Sequence, residues 1–154
     1  MKLISFICKN FFLIALLFST TQCKKNDNAD SLNIVLYDKP LDVIQANITG
    51  NWKLQYMAGG LMYQKIVDKV GSYMILTPDH ITLGNKTGVT TDSPIIWERK
   101  KNSFVPDSTY LLRYNYFWLD NQMISDIMII YEIKNDTLVV GDNCYDGFSS
   151  CYTK

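Results

Sequence analysis

The chain is short of the residues that carry most recognisable chemistry. Its 154 residues hold one histidine, four prolines and four cysteines, and neither sign of charge is in excess, with Lys plus Arg and Asp plus Glu at 15 each. A lone His80 without Cys or His partners cannot build a zinc site. The balanced charge removes the basic footprint of a nucleic-acid binder. Asp38, Asp42, Asp68 and Asp79 lack EF-hand spacing, and no GxGxxG phosphate loop occurs. Asp79 and His80 are neighbours in a turn, and no motif marks a nucleophile for them to activate. After the N-terminus no apolar run approaches the roughly 18 to 20 residues that a spanning helix needs. No catalytic group, metal or cofactor is therefore expected. What is there is a chain 47% hydrophobic and 13% aromatic, too apolar for disorder and of a length for one domain.

The first residues read as an address. Lys2 and Lys9 precede the unbroken apolar run Phe11 to Phe18, and Ser19-Thr20-Thr21-Gln22 leads to Cys23. A basic segment, a short apolar segment and a polar segment make an export signal over 1–22, too short to span as a mature helix. Cys23 followed by Lys24-Lys25-Asn26-Asp27 resembles the lipidation site of a bacterial lipoprotein signal. That resemblance implies a diacylated Cys23 and stable membrane anchoring. Cysteine arithmetic agrees with it. Cys8 leaves with the signal, Cys23 carries lipid, and Cys144 and Cys151 remain to pair in an oxidising envelope. Loss of Lys2 and Lys9 leaves 13 bases against 15 acids, so the mature chain is no polybasic surface binder.

Residues 23–32 are polar, without aromatic or branched apolar residues up to Ser31, and read as a flexible tether. The domain proper is 33–154. Leu41, Ile44 and Ile48 are spaced for one or two helical turns. From Gly50 the pattern turns to strands, at roughly 50–58, 72–77, 80–86, 94–101, 108–118, 125–134, 136–142 and 147–153. Pro78-Asp79, Asp120-Asn121 and Asn135-Asp136 punctuate them. Ile127, Ile129, Tyr131 and Ile133 alternate with Met128, Ile130 and Glu132 across the two faces of one strand. Eight consecutive antiparallel strands can remove their edges by closing into an up-and-down barrel, so the expected fold is all-β. The stretch Leu61 to Val70, between Gly59-Gly60 and Gly71, is expected to be either a lid or a surface segment, looped or helical.

Gly50-Asn51-Trp52 resembles the Gly-x-Trp signature of lipocalins. With Ile34 to Leu41, Ile48 to Leu54, Leu76 to Ile81 and Asp142 to Gly147, the chain resembles lipocalin-like lipoproteins of Bacteroidetes. The resemblance implies that Gly50 admits a tight turn and that Trp52 plugs the closed end of the barrel. Lipocalins stack an Arg of the last strand on that Trp. Here the last strand ends Tyr152-Thr153-Lys154, which leaves Lys154 or Tyr152 for the position. The resemblance also implies a habit of binding small molecules.

Trp97, Tyr110, Leu112, Tyr114, Tyr116, Ile129 and Tyr131 are the candidate ligand-lining residues. Tyr combines an apolar body with a polar tip suited to a small, largely apolar ligand. A barrel of eight strands either holds one small ligand or is filled by its own side chains. The first reading is a membrane-anchored binding module. The second is a filled barrel whose loops contact an envelope partner, as an interaction or inhibitor module, with Phe104, Tyr116, Phe117 and Trp118 as its exposed cluster. Asp30-Ser31-Leu32 resembles an O-glycosylation acceptor of Bacteroidetes, with Ser31 as the modified residue. Surface-export signals of Bacteroidetes lipoproteins are acidic just after the Cys, so the resemblance, with Lys24-Lys25 in that place, implies the periplasmic side of the outer membrane. In the final hairpin, a four-residue loop over Asp146 to Ser149 sets Cys144 opposite Cys151, within bonding reach.

Overall fold

The computed structural model describes residues 31–117 and 122–154. The expected export signal over 1–22, Cys23 and Trp118 fall outside them, as do Asp120 and Asn121. A two-residue strand β1 (Ile34–Val35) leads to helix α1 (Leu41–Ile48), which starts after Pro40. Proline suits this place, because the first turn has no use for its missing N–H. The apolar spacing of α1 buries Ile44 and Ile48. Thr49 then ends the helix, and Gly50 takes φ 139° as β2 (Gly50–Gly59) begins. A side chain rarely adopts that φ, which is why glycine stands there.

After β2 come β3 (Gln64–Val67), β4 (Tyr73–Leu76), β5 (His80–Asn85) and β6 (Gly88–Pro94). Then follow β7 (Ile96–Lys101), β8 (Ser108–Phe117), β9 (Met123–Lys134), β10 (Thr137–Asp142) and β11 (Phe148–Thr153). All pairings are antiparallel. The hydrogen-bonded order is β6-β5-β4-β2-β11-β10-β9-β8-β7, with β1 added to β9 and β3 to β2. The sheet curls until β6 lies beside β8, where the Asn115 amide donates to Ser93 Oγ at 3.1 Å. The result is a nearly closed all-β barrel. It has nine strands in its ordered path and two outside it, rather than the eight expected.

All eight expected strands are present. The three additions are those without apolar alternation. β1 is two residues long, and all four residues of β3 are exposed. β6 turns Thr91 and Ser93 inward where a core strand would carry branched apolar residues. The stretch 61–70 is therefore not a helix, since it holds the turn and second strand of the β2–β3 hairpin.

The main core holds Trp52, Met74, Leu76, Ile81, Leu112, Tyr114, Ile130, Ile133, Leu138, Val140 and Tyr152, together with Leu36, Ile44 and Ile48. A second cluster, Val105, Leu111 and Ile129 with Tyr37, Phe104 and Tyr131, is separate from it. A β-bulge explains the division. Val139 faces Glu132 and Val140 faces Ile130, which leaves Tyr131 as the extra residue of β9. A bulge shifts side-chain parity by one. Ile130 and Ile133 thus both reach the main core, whereas Ile129 and Tyr131 join the second cluster. The expected single face of Ile127, Ile129, Tyr131 and Ile133 is corrected accordingly. Ile129 and Tyr131 are withdrawn as partners of Leu112 and Tyr114 inside the barrel.

The final hairpin also departs from expectation. Ser149 faces Gly141 and Cys151 faces Val139, so the loop is Asn143 to Gly147 and Cys144 lies within it. The Asp142 carboxylate accepts from the Phe148 amide at 3.0 Å, and the Gly147 amide donates to the Cys144 carbonyl at 3.2 Å. These bonds start the ladder at Phe148, ahead of the register that would oppose the two cysteines. Cys144 is exposed, Cys151 is buried, and both are free thiols. The predicted Cys144–Cys151 disulfide is not formed.

Candidate functional site

α1 caps one end of the barrel. Its last carbonyl, on Ile48, accepts from the Trp52 indole N–H at 2.6 Å. The Trp52 ring is 1% exposed, and Lys154 Nζ lies 4.9 Å from its centre. A cation over an indole face is an attractive arrangement. Of the two residues available for the Arg position, Lys154 is the one on the ring, while Tyr152 is buried in the main core.

The lumen is occupied by side chains. Leu112 and Tyr114 are buried within it, and Trp97, Tyr110 and Tyr116 are half-buried against the same cluster. The structure therefore brings together five of the seven candidate lining residues, as core. The Trp97 indole N–H donates to the Pro78 carbonyl at 2.9 Å, and Arg99 stands 5.7 Å from the Tyr110 ring. Tyr114 donates its hydroxyl to Asp126 at 3.0 Å. Burial, with the Asp126 carboxylate beside it, drives the Tyr114 phenol far above its ordinary range. Burial likewise pushes Tyr152 up to about 12. Both phenols are neutral packing groups at any physiological pH.

His80 does not pair with its neighbour Asp79. Its Nε2 lies 2.8 Å from Asp92 Oδ1, which also accepts from Thr82 Oγ1 at 2.9 Å. Hydrogen bonds from His80 and Thr82 hold the Asp92 carboxyl below its usual range. Among the described residues, no group of three His, Cys, Asp or Glu could hold a metal ion. Ser31 is exposed, and its hydroxyl donates to Asn135 Oδ1 at 3.3 Å while the Leu32 amide donates to Asp136.

The site worth building from is a groove of about 550 Å³ in the barrel wall. β2 and β4 form it, with Asn51 opposite Ile75 and Lys53 opposite Tyr73. Ile75 and Tyr73 give it apolar walls, while Lys53, Lys86 and Lys154 line it. Its lining contains no carboxylate side chain, and none of these three lysines is in an ion pair among the described residues. Lys86 lies across Gly71, where an added Cβ would meet its chain at 2.7 Å. Past the 68–72 connection is a second cleft of about 440 Å³, walled by Leu54, Met57, Ile66 and Val67. The connection itself is tied down. Asp68 accepts from the Gly71 and Ser72 amides and the Ser72 hydroxyl, at 2.8 to 2.9 Å. Burial opposes the charge there, but these bonds outweigh it and lower the Asp68 pKa.

None of the seven candidate lining residues touches this groove. Of its residues, Trp52 and Lys154 carry a signal in the sequence, through the Gly-x-Trp motif and the chain end. One further signal lies in Tyr73-Met74-Ile75-Leu76, which is apolar on both faces and so asks for cover on the outside as well as the inside. Searches against protein-family models, curated proteins and solved structures find no match to this chain.

Proposed function

We propose that this chain is a lipocalin-like lipoprotein of the cell envelope, a binding module rather than an enzyme. Its ligand is a small amphipathic anion, with an apolar body and one acidic head. The observation that carries the reading is the wall groove, apolar along Tyr73 and Ile75 and edged by three lysines that are in no ion pair among the described residues. An apolar cleft with a few convergent polar groups is the usual form of a small-molecule site. The packing of the lumen by side chains supports the wall rather than the barrel interior as the proposed site. Cys23, once lipidated, would hold the domain at the outer membrane, facing the periplasm, and Cys23→Ala would release it into the soluble fraction. Ser31 remains the proposed glycosylation acceptor.

The test is titration of a fluorescent long-chain carboxylate into the full chain. Binding should saturate, and Ile75→Glu and Lys86→Glu should each weaken it by about tenfold or more, close to 1.4 kcal/mol. Affinity unchanged from the parent chain in both variants would remove the groove as the site. The second reading, a filled barrel acting as an envelope interaction or inhibitor module, draws on the same packed lumen. Absence of saturable binding would favour it.

A further inference from the structure

A lysine is a point charge on a flexible stem, so it serves a site only when something holds the stem there. Lys53 belongs to β2, which forms the groove, but Lys86 comes from the turn between β5 and β6. The 68–72 connection brings it in. The Lys86 amide donates to the Val70 carbonyl at 3.4 Å. The Lys86 stem then lies on Gly71, where an added Cβ would meet its Cε, Cγ and Cδ at 2.7, 3.0 and 3.3 Å. Gly71 takes φ 72°, which glycine adopts freely and other residues resist. The stem fits because no side chain stands beneath it.

The connection owes this shape to Asp68. One carboxylate oxygen accepts from the Gly71 and Ser72 amides at 2.8 and 2.9 Å, and the other from the Ser72 hydroxyl at 2.8 Å. β2 holds both ends, since the Asp68 amide donates to the Gln55 carbonyl at 3.0 Å and the Leu54 amide to the Ser72 carbonyl at 2.9 Å. Asp68 does not line the groove and is in no ion pair with Lys86. On the reading that the groove is the binding site, we infer that Asp68 is its positioning residue. Asp68 folds the connection so that Gly71 receives the Lys86 stem, and the ammonium held there gives the groove part of its preference for an anion over a neutral amphiphile. Positioning and plain electrostatics predict opposite signs for Asp68. Loss of a nearby negative charge by itself strengthens anion binding, whereas loss of a positioning residue weakens it.

Titration of the full chain with dodecanoate and with dodecanol, an acid and an alcohol of one chain length, tests it through the ratio of the two affinities. The parent chain should prefer the acid. Lys86→Met should lower that preference by about threefold or more, the scale of one partly solvated ion pair. Gly71→Ala changes no charge and should lower it as much, because the added methyl dislodges the stem. Asp68→Ala should lower it too, against the electrostatic sign. In the Gly71→Ala, Lys86→Met double variant the two effects should not add. A general loss of fold would weaken both ligands together and leave the ratio unchanged. An acid preference kept in Gly71→Ala, or raised in Asp68→Ala, would overturn the inference while leaving the groove as the site. Binding of both ligands untouched by Ile75→Glu would remove the groove, and the positioning role with it. Should Asp68→Ala fail to fold, the Gly71→Ala ratio decides, since movement of the lysine stem can take up its methyl.

Discussion

Trp52 meets three parts of the chain at once. Its ring lies in the barrel core, its N–H bonds the end of α1, and Lys154, just past the last strand, covers its face. Trp52→Ala removes the packing, leaves the Ile48 carbonyl without its donor and strands the lysine. A loss of about 3 to 5 kcal/mol is expected, as for other large aromatic truncations, measured by denaturant unfolding. A loss below about 1 kcal/mol would mean that α1 is held without it. Tyr152 sets an alkaline limit on the fold. Its phenol titrates at 10.0 when solvated and at about 12 when folded. The unfolded chain therefore releases its proton first as pH rises. Stability from this group is intact below pH 10 and is lost between about pH 10 and 12. Tyr114 acts in the same direction. The Tyr152 share is on the order of 2 to 3 kcal/mol. Tyr152→Phe should flatten the fall in unfolding free energy across that window, and an unchanged slope would show that the phenol is solvated.

Individual elements divide into those that sequence pattern reveals and those that only pairing creates. Gly50-Asn51-Trp52 and the spacing of Leu41, Ile44 and Ile48 place the start of β2 and α1 within a residue or two, because turn chemistry and apolar spacing are local. The facing of β9 was not legible, since a bulge at Tyr131 depends on how β10 meets it. Gly141 shows the same dependence, for an added Cβ there would lie 2.5 Å from the Tyr131 ring that covers it. The wall groove was equally hidden, as its lysines come from β2, the β5–β6 turn and the chain end. The last hairpin carries its own prediction. With Cys144 in an exposed loop and Cys151 buried in β11, a thiol reagent should modify Cys144 in the native protein and Cys151 only on unfolding. Resistance of both in unreduced, denatured protein would restore the disulfide.

At the scale of the whole molecule, the barrel fills its interior with its own side chains, and the proposed binding groove lies on its outside. The large side chains of β2, β4, β8, β9, β10 and β11 fill the lumen, while the wall groove lies where β2 and β4 meet outside. The most direct test is native mass spectrometry of the protein isolated from its own host. The account predicts a bound amphipathic anion that leaves on collisional activation and is absent from the Ile75→Glu variant. A bound molecule retained by Ile75→Glu but lost in Leu112→Ala would place the site in the lumen and contradict the account.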